Sequence, residues 1–277
     1  MKRKDYINLA VLLIVIAFAC LRFHFRKYSD TQAKILMDTL VEISAESKNK
    51  NVSSIIDSTF SLISGYEKKF SYHLENSQLH QINHKNGVPQ YIDEDFSAIL
   101  SLSQKYYILS DSLFDISIAP VLNVWDFEKG ILPEPEALKQ AKSRVGFYKI
   151  DFSKNELLLP ADMELNLGAI AKGFIIDKAV DFMTEHGVER GYINAGGDIR
   201  FFGFPKTVSV GIQNPRDKNS IIAELDLPEM SVVTSGDYER FFEHEGIRYH
   251  HIINPKTGYP AGKTISVTVI AKTATLA

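Results

Sequence analysis

Residues Leu165 to Asp177 constrain this chain more than any other stretch. They read Leu-Asn-Leu-Gly-Ala-Ile-Ala-Lys-Gly-Phe-Ile-Ile-Asp, an apolar strand end that runs into a turn of small residues and then into a helix. The helical spacing continues through Ala179, Val180, Phe182 and Met183. Gly187 then closes the helix, because glycine takes a positive φ cheaply at that position. Small residues at Gly168, Ala169, Ala171 and Gly173 admit two readings. They let a bulky ligand approach the unpaired, partly positive N–H groups of a helix start, with Lys172 adding a full charge. They also let a helix pack tightly on a sheet.

The segments that follow favour the ligand. Tyr192-Ile193-Asn194-Ala195-Gly196-Gly197-Asp198-Ile199 comes next, then Thr234-Ser235-Gly236-Asp237-Tyr238-Glu239-Arg240, then His250-His251-Ile252-Ile253-Asn254-Pro255-Lys256-Thr257-Gly258-Tyr259-Pro260. Paired glycines at Gly196 and Gly197 allow positive φ and remove bulk. With Met37-Asp38-Thr39 and Phe114-Asp115-Ile116-Ser117, these motifs resemble, in order and spacing, the ApbE family of FAD:protein FMN transferases. The resemblance spans about residues 34 to 277 and implies an α+β fold of mixed sheets with packed helices.

The resemblance also implies a chemistry. FMN passes from FAD to a Ser or Thr hydroxyl of a target flavoprotein, AMP leaves, and magnesium neutralises the phosphoryl oxygens. It assigns cofactor contacts to Met37, Ser117, Ile118, Ala119, Asn166, Lys172, Gly196, Gly197 and Ile252, and a metal ligand to the carbonyl of Ala169. Asn166 stands where the family often has Asp. His251 is the candidate for positioning or deprotonating the acceptor hydroxyl, since imidazole titrates near neutral pH, and Asp237 is the second candidate base. Beyond Thr273-Ala274-Thr275-Leu276-Ala277 the family carries an Asp and a Thr that also bind magnesium, so residues 29–277 make an incomplete domain that is expected to hold magnesium weakly. An FAD-binding protein or an FAD diphosphatase on the same scaffold is the alternative.

Composition bounds the rest. With 45% hydrophobic and 23% charged residues in 277, most of the chain has enough apolar surface to fold. A net charge of −3 gives no basic footprint for nucleic acid. The single cysteine, Cys20, excludes a disulfide framework within the chain. Lys2, Arg3 and Lys4 precede an apolar run from Ile7 to Cys20, so residues 1–28 read as a lipoprotein-type signal peptide, an uncleaved membrane anchor, or a buried helix. The first two attach the domain to the cell membrane, facing the periplasm or exterior, where an exported flavoprotein subunit is the expected acceptor.

The remaining elements follow from pattern. Ala33 to Ser44 alternates as one strand with Ile35, Met37, Thr39, Val41 and Ile43 on one face. Helices are expected from Asn51 or Ser53 to Phe70, from Asp93 to Leu109, and from Pro133-Glu134 to Arg144. His80 and His84 fall in a polar surface loop. Trp125, the only tryptophan, is expected in the core. Tyr148–Phe152 and Glu156–Leu159 flank a hairpin turn at Ser153-Lys154-Asn155, while Val208–Ile212 and Ile221–Leu227 are further strands about a turn at Asn214–Asp217. Thr264 to Ala271 is the last strand.

Overall fold

The computed structural model describes residues 4, 14–16, 26–85 and 87–277. Cys20 and most of the expected signal or anchor segment lie outside the described residues. Among the described residues no helix is long and apolar enough to cross a membrane.

In chain order the elements are β1 (Tyr28–Leu36), β2 (Thr39–Ser47), α1 (Val52–Phe70), α2 (Gln78–His84), β3 (Gln90–Tyr91), α3 (Glu94–Leu109), α4 (Ala119–Leu122), α5 (Pro135–Ser143), β4 (Asp151–Phe152) and β5 (Glu156–Leu158). Then come α6 (Gly168–Glu185), β6 (Val188–Ala195), β7 (Asp198–Phe202), β8 (Val208–Asn214), β9 (Asp217–Leu227), β10 (Ser231–Gly236), β11 (Phe241–His244), β12 (Ile247–His250) and β13 (Ser266–Ala271). This is the expected α+β class.

The organising layer is an antiparallel sheet in the order β1-β2-β6-β7-β10-β13. Val41, Ile43 and Ala45 alternate on the buried face of β2, as period-two patterning requires. Against them pack Ile56, Phe60 and Ile63 of α1 and Ile176, Ala179, Val180 and Met183 of α6 in one core cluster. Asp93 caps α3 by accepting the Phe96 N–H at 3.0 Å. Gly187 follows the end of α6 with φ +85°, the expected closing position.

Four expectations need correction. Ala33 to Ser44 is not one strand but a hairpin, because Met37 and Asp38 both adopt positive φ (54° and 57°) and reverse the chain. The two-residue turn sets Ile35 opposite Leu40 rather than on the face of Val41, and Ile35 is 81% exposed. The stretch around His80 and His84 is a helix, α2, capped by Ser77, whose Oγ accepts the His80 N–H at 2.9 Å. Leu165 ends no strand. Instead the side-chain amide of Asn83 replaces a neighbouring backbone, accepting from Leu165 N–H and donating to Leu165 C=O, both at 2.9 Å. Finally, the small residues from Gly168 to Gly173 are not a turn before the helix but its first turns.

Candidate active site

Helix α6 is introduced by a tied-down approach. The Asn166 N–H donates to the Ile116 carbonyl at 2.7 Å, and its Oδ1 accepts the Gly168 N–H at 2.8 Å. Asn166 thereby joins the start of α6 to the segment holding Ser117, Ile118 and Ala119. Gly168 and Ala169 are exposed at this mouth, while Ile170 and Ala171 face the core. The small residues have divided roles. A Cβ on Gly173 would stand 2.4 Å from the Ala274 carbonyl oxygen, so Gly173 serves close packing of the chain after β13, not a ligand.

Lys172 carries its charge outward to a second segment. Its Nζ lies 2.7 Å from Asp198 Oδ2, and Asp198 Oδ1 accepts the Thr234 N–H at 3.3 Å. Asp198 follows the Gly196-Gly197 turn, where both glycines have positive φ (65° and 98°). A Cβ on Gly196 would meet Thr39 Oγ1 at 2.2 Å, whereas one on Gly197 would meet nothing within 4 Å. Gly196 is therefore bare to fit the β1–β2 hairpin, whose tip is Met37, and Gly197 borders open space. Met37 is half-buried, and its N–H donates to Glu67 Oε1 at 2.7 Å. Lys172 thus reaches the residue after the Gly196-Gly197 turn, and Gly196 lies against Thr39, next to the Met37-Asp38 turn.

Ser117 and Ala119 are fully buried. The Ser117 hydroxyl donates to Asp115 Oδ1 at 2.6 Å and accepts the Gly146 N–H at 2.8 Å, so its side chain is committed to the fold. Ile118 alone of the three is partly exposed, and it packs against the small cluster of Val121, Trp125, Leu138 and Ala141, which Phe242, Tyr249 and Ile253 also border. Trp125 is core, as expected, with its indole N–H donating to the Gly258 carbonyl at 3.1 Å.

His251 lies just past β12. Its Nδ1 is 3.2 Å from the Arg240 carbonyl oxygen, which only accepts, so Nδ1 carries the proton and Nε2 is left as the basic nitrogen. Burial holds its pKa below the ordinary 6.5, with the Arg240 hydrogen bond opposing. His250 is buried and its Nε2 bonds the Ala261 carbonyl at 2.7 Å while Nδ1 accepts the Ile252 N–H at 3.3 Å, a structural role. Ile252, half-buried, accepts the Ala261 N–H on its carbonyl.

Asp237 is engaged rather than free. The guanidinium of Arg216, at the β8–β9 turn, grips both its carboxylate oxygens at 2.6 and 2.8 Å, and Arg248 stands 3.5 Å away. Arg216 holds the carboxyl below its ordinary 3.8. Sequence reasoning passes over Arg216 and Asp198. The place of Asp198 directly after paired glycines was a usable signal; nothing local marks Arg216, whose partner is 21 residues away.

Toward a cation, the described residues offer little beyond the exposed Ala169 backbone. Among them no group of three or more His, Cys, Asp or Glu side chains is placed to hold a metal ion. Those residues do not by themselves complete a magnesium site, and no step below runs through one. Two concavities lie at other residues. One of about 230 Å³ is lined by Leu138, Lys142, Thr257 and Tyr259, and one of about 340 Å³ by Tyr91, Asp93, Lys154 and Asn155.

Fold and site together define a class: an α+β protein whose antiparallel sheet presents a helix start and a glycine turn side by side. The same architecture is found in the ApbE protein of Thermotoga maritima, with a TM-score of 0.84 and 29% identity over 90% of this chain and 84% of that one. The flavin transferase ApbE of Vibrio cholerae shares the fold at a TM-score of 0.78 and 21% identity, covering 90% of this chain and 84% of that one. The ApbE family model matches residues 37–277, and the chain belongs to the ApbE family. An FAD:protein FMN transferase of Treponema pallidum is 31% identical over 92% of this chain and 77% of its own length. One from Klebsiella pneumoniae is 34% identical over 76% of this chain and 69% of its own length.

Proposed function

We propose that this chain is an FAD:protein FMN transferase acting on a Ser or Thr hydroxyl of a flavoprotein. The hydroxyl oxygen attacks the phosphorus on the riboflavin side of FAD. The bond to the AMP phosphate breaks, AMP leaves, and the hydroxyl proton passes to His251 Nε2. The observation that carries this reading is the convergence of the α6 start, through Lys172, with the Gly196-Gly197 turn, through Asp198. A diphosphate laid on that face meets a helix N-terminus and an ammonium, both suited to its charge. The names of the relatives above agree with it.

Lys172, Asn166, Gly197, Ile118, Ile252 and Met37 hold FAD in this reading, and Ala169 offers its carbonyl toward magnesium. A bound magnesium ion supplies neutralisation of the phosphoryl oxygens. Asp237, locked to Arg216, shapes the loop before His251 more readily than it takes a proton. In this reading the basic and apolar N-terminal run serves as a lipoprotein signal or an anchor that attaches the domain to the outer side of the cell membrane, with an exported subunit as its acceptor.

Incubation with FAD, magnesium and a Thr-bearing acceptor protein tests the reading. The expected result is a covalent FMN adduct on the acceptor with one AMP released per adduct. Free FMN and AMP without an adduct would make the chain a diphosphatase. Bound but unaltered FAD would make it a carrier, and either result would overturn the transfer.

A further inference from the structure

We propose that Asp198 is a positioning residue that aims the Lys172 ammonium at the diphosphate. This rests on the function proposed above and adds to it a residue with no assigned role. Asp198 is held from two sides. Its Oδ1 accepts the Thr234 N–H at 3.3 Å, which fixes the carboxylate to β10, and its Oδ2 receives Lys172 Nζ at 2.7 Å. The Asp198 side chain is 10% exposed and that of Lys172 is 35% exposed. The carboxylate is thus the buried, anchored member and the ammonium the one that reaches solvent.

An unpartnered lysine on a helix start samples many rotamers of its four-carbon stem, and a phosphate must stop that motion on binding. Asp198 stops it in advance. It does so from the residue next to Gly197, whose missing side chain leaves open space beside the pair. The neighbouring pair repeats the device one step along β7. Arg200, on the same face of β7 as Asp198, donates to Asp177 Oδ1 of α6 at 2.7 Å. Alternate residues of β7 therefore grip α6 at Lys172 and at Asp177, which fixes the rotation of the helix as well as its charge. Asp198 touches no reacting atom in this scheme and acts through Lys172.

A double-mutant cycle on FAD affinity reads this directly. Wild type, Lys172→Ala, Asp198→Asn and the double variant are titrated with FAD and followed by flavin fluorescence, and each is checked for a cooperative thermal transition. Lys172→Ala is expected to raise Kd about 30-fold and Asp198→Asn about 10-fold, within what one charge-assisted contact is worth. The double variant is expected to bind within about twofold of Lys172→Ala, because Asp198 has nothing left to aim. A double variant whose loss is the product of the single losses would overturn the positioning role while leaving the Lys172 contact intact. An unchanged Kd in Lys172→Ala would sink that contact and the inference with it. If Asp198→Asn shows no cooperative transition, Asp198→Glu, which keeps the charge one methylene further out, replaces it in the same cycle with the same criterion.

Discussion

The sheet with α6 and the two hairpin arms are built on different physics. In the first region six strands share one antiparallel ladder, α6 packs its apolar face into the core beneath it, and two ion pairs, Lys172–Asp198 and Arg200–Asp177, tie the helix to β7. In the second, β8–β9 and β11–β12 are separate two-stranded ribbons. Such ribbons are marginal alone. Arg216 to Asp237 ties the first arm, and stacking among Trp125, Phe127, Phe242 and Tyr249 ties the second. The residues proposed to hold the diphosphate belong to the rigid region, and the imidazole proposed to take the proton belongs to the arms. The Lys172 contact to the diphosphate and the His251 base are therefore separable by mutation.

The sharpest way to break that separation is His251→Ala. Transfer is expected to fall about 1,000-fold, within the range for a general base, while FAD affinity stays within about threefold. Equal loss of both in a fluorescence titration would move His251 into the binding region. The same base gives a pH signature. Its folded pKa lies below 6.5 because of burial, so the neutral form prevails at pH 7, and the acid limb of kcat/KM, which reports the free enzyme, is expected below pH 6.5. A limb centred above 6.5 in a pH–rate profile would refute the assignment.

Asp177→Ala tests the rigid side. It leaves Arg200, the Ala274 and Thr275 N–H groups, and the Thr275 hydroxyl without their shared acceptor. Loss of about 3 kcal/mol is expected for a largely buried pair broken from one side, read as a lower urea midpoint. A midpoint within error of wild type would show that α6 is not held there.

Arg216→Ala tests the arm. Faster cleavage by thermolysin, whose apolar sites in residues 208–227 the substitution leaves in place, is expected, with the global urea midpoint little changed. The wild-type clasp has a pH dependence of known sign. The folded pKa of Asp237 is depressed by Arg216 below 3.8, so the clasp is fully present above that value and is lost as pH falls through the lowered folded value. Amide hydrogen exchange in residues 208–227, corrected for its intrinsic pH dependence, that stays as protected at pH 2 as at pH 5 would refute it. Lys34→Ala, removing an exposed pair with Asp57, is expected to cost no more than about 0.5 kcal/mol. A larger drop in the urea midpoint would show that the β1 edge carries more of the sheet than its exposure suggests.

What the sequence makes legible follows the range of each interaction. The helices Val52–Phe70 and Glu94–Leu109 and the Gly187 stop are local patterns and stand as read. The Met37-Asp38 turn is illegible because it uses positive φ without the glycine or asparagine that normally signals it. Gly168 to Gly173 mislead for a related reason, since smallness marks both a ligand approach and close packing, and only the Ala274 contact of Gly173 tells them apart. Of the candidate site, the motifs single out Lys172, Gly197 and His251 from sequence alone. Arg216 and the Asn83 substitute for a strand are not, because each bonds a partner far away in the chain.

The pairing of Val41 with Ala195 sets an order of assembly during synthesis. The second strand must wait, its hydrophobic edge unpaired, while a ribosome makes every helix between it and β6. Non-local ladders of this kind close slowly. The Thr39–Gly196 fit therefore cannot form until Gly196 has been made, after helices α1 to α6, and a newborn chain has no glycine turn to offer a dinucleotide before then.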